Sequence, residues 1–316
     1  MDPLPELVTT RHLAAAGLTE AERRTLYRSD ARGLYAARWA DETLPMHRIT
    51  RALLLAGSTS TIGGWAAAHV HELTARPPGD DLCVFDGASA YGGPAGLQPV
   101  LVLMAPEHRA RPAPDRLVFR SAVPDTERQP WAGGSITTPL RTAFDLARLS
   151  GPTEGVVALD RFLGLRLVAR DDLAALVAQR HSWRGWARAV RALHLAEDDV
   201  RSPMETVMRL EWLRAGLPRP RCNAVVEDDA GRFVAMVDLL DEATGLVGEY
   251  DGGHHAGADR RRRDAIRRER MVEAHLTVVT ATAVDLATPA NRASWRARLV
   301  GARARAARRP RAWRVH

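Results

Sequence analysis

The chain has 316 residues, 46% hydrophobic and 26% charged, ordinary values for a globular protein and enough length for two or three domains. Only Cys83 and Cys222 occur, which excludes a disulfide framework and a cysteine-rich zinc site. No apolar run reaches ~18 residues and the N-terminus, with Asp2 and Glu6, does not read as a signal peptide, so a cytoplasmic protein with no membrane partner is expected.

The formal net charge is +7, and all 45 basic residues are arginine. GC-rich codon usage accounts for that choice, but any site that would use a lysine must do without one. The excess charge lies entirely in one part of the chain. Residues 1–200 carry 23 arginines against 23 acids, while residues 201–316 carry 22 against 15. Such asymmetry points the C-terminal part toward a polyanion.

In chain order, residues 8–13 predict a short helix, Gly17 a corner, and Thr19 the cap of a second helix from Glu20 to about Arg28. Residues 33–36 then read as a small strand wing, so residues 1–75 carry a winged helix-turn-helix pattern, nearly balanced in charge. Two helices are expected over 48–56 and 62–73. His69 and His71 are two apart and face different sides of the second, which suits packing better than a shared metal. Over 76–135, apolar runs at 82–84, 100–104 and 117–119 alternate with Pro and Gly breaks, predicting strands and loops. Thr138 and Pro139 open a helix on whose face Arg141 and Asp145, four apart, pair. Helices continue to about Ala196, and acidic residues 197–199 mark a junction. Residues 76–197 thus form a mixed α/β middle domain, and 198–316 a third domain with a basic tail.

The third domain opens at Ser202, Pro203 and Glu205, which carry a capping-box signature: serine cap, proline in the first turn, glutamate three residues after the serine. That helix stops near Gly216. Strands are predicted over 222–226, 233–240 and 246–251 with turns at 228–231 and 241–245. An arginine-rich helix over about 258–274 and a strand over 275–281 follow, and the tail from Arg296 to Arg314 is helical or loose.

Side chains two apart on a strand share a face, so Glu249 and Asp251 point the same way. A hairpin through 241–245 is expected to set Asp238 across from the start of the second strand, within a few residues of Glu249. Two carboxylates at the ends of apolar runs repel unless a cation separates them. Asp238 and Glu249 are therefore the expected ligands of one hard cation, Mg²⁺ or Mn²⁺. Solvated acids paired with nearby arginines are the plainer alternative, and a helix cap is the plainer role for Glu205. His254 or His255 could act as acid or base near neutral pH. Arg260, Arg261, Arg262, Arg263, Arg267, Arg268 and Arg270 put seven arginines in eleven positions, more than Asp264 and Glu269 can pair, and read as a phosphate-tracking surface.

The ordered set Ser202, Glu205, Arg209, Gly216, Asp238, Glu249, Asp251, His255, Asp264 and Arg267 resembles an endonuclease-like family close to the very-short-patch-repair endonucleases, in the PD-(D/E)xK superfamily. Over about 200–290 the resemblance implies a restriction-endonuclease-like mixed sheet flanked by helices that cleaves DNA with a divalent metal. It implies a catalytic set of Glu205, Asp238, Glu249, Asp251 and His255, with Asp238 and Glu249 as metal ligands and Glu205 as an accessory acid. Asp251 stands where the motif has lysine. Very-short-patch-repair enzymes also depart from that lysine and lean on histidine. The first 165 residues or so resemble the winged-helix antitoxins of the AbiEi type, through Thr9, Thr10 and Arg11, the stretch 65–71, and 138–146. The expected whole is an α/β and α+β multidomain protein acting on DNA, with homodimerisation left open. A non-catalytic regulator or type IV antitoxin with a degenerate nuclease fold is the rival expectation.

Overall fold

The computed structural model describes residues 5–88, 96–107, 113–252 and 258–315, with the side chains of 258–261 left out. The chain clusters into two units, one from Met1–Ser89, Pro94–Leu146 and Leu167–Gln179, the other chiefly from Ala147–Arg166 and Arg180–His316.

The first unit begins with β1 (Leu7–Thr9), α1 (Thr10–Ala15), α2 (Glu20–Leu26), β2 (Tyr27–Ala31) and β3 (Leu34–Ala37). The strands form an antiparallel sheet in the order β1-β3-β2. Thr19 caps α2 as expected: its hydroxyl accepts from Glu22 N–H while the Glu22 carboxylate accepts from Thr19 N–H at 2.8 Å. Gly17 takes the corner between the helices at φ 65°, a left-handed conformation that favours glycine. The second helix stops short of Arg28 because Tyr27 is drawn into β2, its ring buried with Val8, Leu13 and Ala37.

Next come α3 (Pro45–Ala56), β4 (Thr61–Gly63), α4 (Gly64–Ala75), β5 (Val100–Met104), β6 (Arg116–Arg120), β7 (Arg128–Trp131) and β8 (Gly134–Thr137). These five strands make a mixed sheet in the order β6-β5-β4-β8-β7. Ile62 belongs to β4, between β5 and β8, rather than to the start of a helix. A three-residue strand has no periodicity to read, and its apolar residues merge with those of the helix that follows. Residues 82–84 form no strand either. The N–H groups of Val84 and Phe85 donate to the buried Glu72 carboxylate on α4, at 2.9 and 3.1 Å, which satisfies them without a neighbouring strand. His69 and His71 are buried packing residues, His71 Nε2 lying 2.8 Å from the Thr137 carbonyl, and burial lowers both imidazole pKa values.

The helices α5 (Pro139–Leu149), α6 (Pro152–Gly164), α7 (Arg170–Gln179) and α8 (Trp186–Leu195) follow. Arg141 and Asp145 pair at 2.9 Å as their spacing predicts, but inside the protein, where Arg141 also reaches Glu127.

The rest of the second unit is α9 (Pro203–Arg214), β9 (Arg221–Asp228), β10 (Phe233–Asp241), β11 (Leu246–Asp251), α10 (Ala258–Glu273), β12 (Thr277–Thr282), α11 (Ala283–Ala287), α12 (Pro289–Ala306) and β13 (Trp313–Val315). Its sheet runs β12-β11-β10-β9-β13. Three antiparallel strands, β9 to β11, are joined by short turns. The β11–β12 pair is parallel, a direction that requires a crossover, here α10. Trp212 on α9 and Trp295 on α12 are fully buried in one core with Leu239, Leu246 and Val279, while Met271 and Ala274 from the end of α10 and its exit pack with Val234, Leu240 and Val247. The end of the basic tail is not loose: β13 adds to the outer edge of β9, with Trp313 buried.

Arg209, fully buried on α9, donates to Asp160 of α6 at 2.7 Å, and Asp160 also accepts from Thr206 Oγ1 and Glu197 N–H, each at 2.7 Å. Burial pushes the Asp160 carboxyl pKa up, outweighing the pull of Arg209. Among the described residues no helix is long and apolar enough to cross a membrane.

Candidate functional site

The hairpin between β10 and β11 sets the geometry. Asp241 accepts from Gly245 N–H through its carbonyl and from Thr244 Oγ1 through its carboxylate, both at 2.8 Å, and Gly245 turns the chain at φ 74°. The pairs Asp241 with Leu246, Leu240 with Val247 and Leu239 with Gly248 follow. Continuing that register sets Asp238 across from Glu249, on the same face as α10. Both are half-buried; Asp238 interrupts the apolar run of β10, and Glu249 begins the polar end of β11.

Asp238 Oδ2 accepts the Tyr250 N–H at 2.8 Å. The two arms of the Arg267 guanidinium, from α10, fork onto the two oxygens of Glu249, one at 2.6 Å, and one arm also donates to the Met236 carbonyl at 2.7 Å. The pair with Glu249 holds Arg267 more firmly protonated. Burial pushes the Asp238 carboxyl up to about 6, with repulsion from Glu205 and Glu249 adding to it; the Tyr250 N–H and Arg267 oppose the shift without cancelling it.

Asp238, Glu249, Asp251, Asp264, Arg267 and Arg268 line one cleft of about 420 Å³, floored on its apolar side by Met271, Val272 and Val278. β10 supplies Asp238 and β11 supplies Glu249 and Asp251, two apart on one face of the strand; α10 supplies the others from successive turns.

Glu205 has another set of partners. The Ser202 hydroxyl accepts from Glu205 N–H, as a cap does. The Glu205 side chain reaches one residue beyond the cap, accepting from Arg201 N–H and Ser202 Oγ at 3.0 Å each, and from Asn223 Nδ2 at 2.9 Å. Asn223 lies between the β9–β10 pairs Ala224 with Val237 and Cys222 with Leu239, hence opposite Asp238, and it ties Glu205 to this part of the sheet. Sequence reasoning missed Asn223. The only signal was an amide interrupting an apolar strand.

Arg262, Arg263, Arg268 and Arg270 are exposed along α10. His254 and His255 lie outside the described residues, as do the side chains of Arg260 and Arg261. Among the described residues, no three His, Cys, Asp or Glu side chains group to hold a metal ion. Arg209, one of the motif positions, is committed to Asp160 and lines no part of the cleft.

Two uncharacterized proteins from two strains of Mycobacterium tuberculosis are similar to this chain, each 26% identical over 205 residues, covering 65% of this chain and 74% of their own length. No family model and no solved structure matches the chain.

Proposed function

We propose that this protein is a divalent-metal-dependent DNA endonuclease whose second unit hydrolyses phosphodiester bonds, and whose first sheet, with α1 and α2, is a winged-helix DNA-binding module. The observation that carries the reading is the opposition of Asp238 and Glu249 in a cleft beside an arginine-rich helix. Two further features support it. Over 203–282 the chain forms three antiparallel strands and a parallel fourth between helices, consistent with the mixed sheet flanked by helices that the endonuclease resemblance implies. The order β1-α1-α2-β2-β3, with a hairpin closing on β1, suits a winged helix.

The donor set fits Mg²⁺ or Mn²⁺, because it is all carboxylate oxygen, and a hexacoordinate hard cation needs only one or two protein carboxylates beside water and substrate phosphate. Asp238 and Glu249 would hold it; when bound, the ion lowers the pKa of a water and neutralises charge on the phosphate. Arg268 and the exposed α10 arginines bind and orient the backbone. His255 is the proposed acid or base.

A non-catalytic DNA-binding regulator or antitoxin is the second reading. It is favoured by the forked hold of Arg267 on Glu249 and by the absence of any lysine. The experiment that separates the two is incubation of the full chain with plasmid and single-stranded DNA in Mg²⁺ or Mn²⁺ against EDTA. Metal-dependent nicking supports the nuclease; binding without nicking leaves the regulator.

Replacing Arg260, Arg261, Arg262 and Arg263 with alanine is expected to flatten the salt dependence of DNA binding. Each phosphate contact contributes a slope of about −0.9 in log K against log salt, so the change should be roughly 2 to 4. An unaltered slope in filter-binding titrations assigns that end of α10 to structure.

Glu205→Gln is expected to keep nuclease activity within a few-fold of wild type and to cost about 1 kcal/mol, since Gln still accepts from part of this donor set. A large loss of nicking at an unchanged melting temperature would instead make Glu205 part of the metal site.

A further inference from the structure

From α10, Arg267 donates into the Asp238–Glu249 cluster and takes both Glu249 oxygens at once. Its third bond, to Met236 O, anchors it to β10 as well, so the cation spans both strands that carry the acids. Glu249 is 15% exposed and Arg267 33%, so the pair is shielded from solvent on one side and open to the cleft on the other. A divalent ion approaching from the cleft finds Asp238 with one oxygen on a backbone N–H, and Glu249 with both oxygens already held by the fork.

We propose that Arg267 is a resident counter-ion in the divalent-cation seat: it neutralises Glu249 until a metal displaces it, so metal binding and release of the guanidinium toward the cleft are one event. This rests on the nuclease reading of the site. It makes Arg267 a positioning residue with two effects of opposite sign. It holds the carboxylates together when no metal is bound, and it weakens metal affinity by the strength of its own pair with Glu249. The released guanidinium stays beside Arg268 on the adjoining position of α10, at the cleft where a phosphate would lie. Metal loading would thereby also add a positive charge on the substrate side.

The test is Mn²⁺ titration of the full chain by calorimetry, with the Mn²⁺-induced rise in melting temperature as a second readout. Arg267→Met keeps most of the apolar stem and removes the fork, and is expected to bind Mn²⁺ at least about tenfold more tightly than wild type. Arg267→Lys keeps the charge but only as a point donor, and is expected to fall between the two. Adding Glu249→Gln to Arg267→Met should abolish the gain. A structural role alone would not make metal binding tighter. Wild type that binds Mn²⁺ while both variants bind it equally or more weakly overturns this inference and leaves the nuclease reading standing. Mn²⁺ binding to none of them overturns both. Should Arg267→Met fail to fold, Arg267→Lys decides by the same criterion.

Discussion

Asp238→Asn and Glu249→Gln are each expected to abolish metal-dependent nicking, with a loss of at least about 100-fold, because even outer-shell partners of a metal cost 10–100-fold when changed and these two would be direct ligands. DNA binding should survive or tighten, since each change removes a negative charge beside the phosphate path. The Asp238 variant also carries a stability signature. Its carboxyl is pushed up to about 6 in the folded protein, against an ordinary value of 3.8. The folded state therefore holds this proton more tightly than the unfolded state. The favourable contribution is fully present below the unfolded value and is lost as pH rises from there through the folded value. Near pH 7, in EDTA, Asp238→Asn should raise stability by about 1–3 kcal/mol, and the gain should shrink toward zero near pH 4. Asparagine can still accept the Tyr250 N–H. Melting curves at the two pH values check this, and a variant destabilised at neutral pH would mean that Asp238 is compensated better than its neighbours imply. Nicking unaffected by either substitution would sink the metal reading and leave the regulator.

Asp160→Ala is expected to be the most destabilising single change in the second unit, at about 3–5 kcal/mol, because it strands the fully buried Arg209 without its counter-charge. It also removes the acceptor for Thr206 Oγ1 and Glu197 N–H, so α6, α9 and the segment between α8 and α9 lose a common tie. The double change Asp160→Leu with Arg209→Met should recover most of the loss, since replacing a buried pair by apolar groups of similar size is often neutral or better. Denaturant unfolding of the full chain followed by tryptophan fluorescence measures both. A loss below about 1 kcal/mol for Asp160→Ala would mean water reaches Arg209 in solution.

These two sites differ in how much of each is written in the local sequence. Asp238 and Glu249 are eleven residues apart, and the hairpin between them announces itself: apolar runs of strand length flank an Asp and a Gly that must turn. The nearness of the two acids was therefore legible, while their direct opposition, in place of Asp238 facing the start of β11, came from the observed register. The same holds for the caps at Thr19 and Ser202 and for the helix opened by Pro139, because capping, proline geometry and helical periodicity act within a few residues.

What the chain did not announce depends on partners far away in sequence. Asp160 and Arg209 are 49 residues apart, and nothing local marks either as buried. Ile62 is a strand residue only because β5 and β8 flank it, and residues 82–84 form no strand, the N–H groups of Val84 and the following Phe85 going to Glu72 instead. The short segment Trp313–Val315 is a strand only because the edge of β9 offers it a partner. Arg267 read as one of seven arginines in a phosphate-facing row until the crossover helix laid it against β10 and β11. Composition, caps, periodicity and turn chemistry determined the capped helices and the longer strands, since their energetics close over short stretches of chain. Tertiary structure alone decided which charges are buried, which strands find edges and which arginine faces the acids, because those outcomes depend on desolvation and pairing between distant segments.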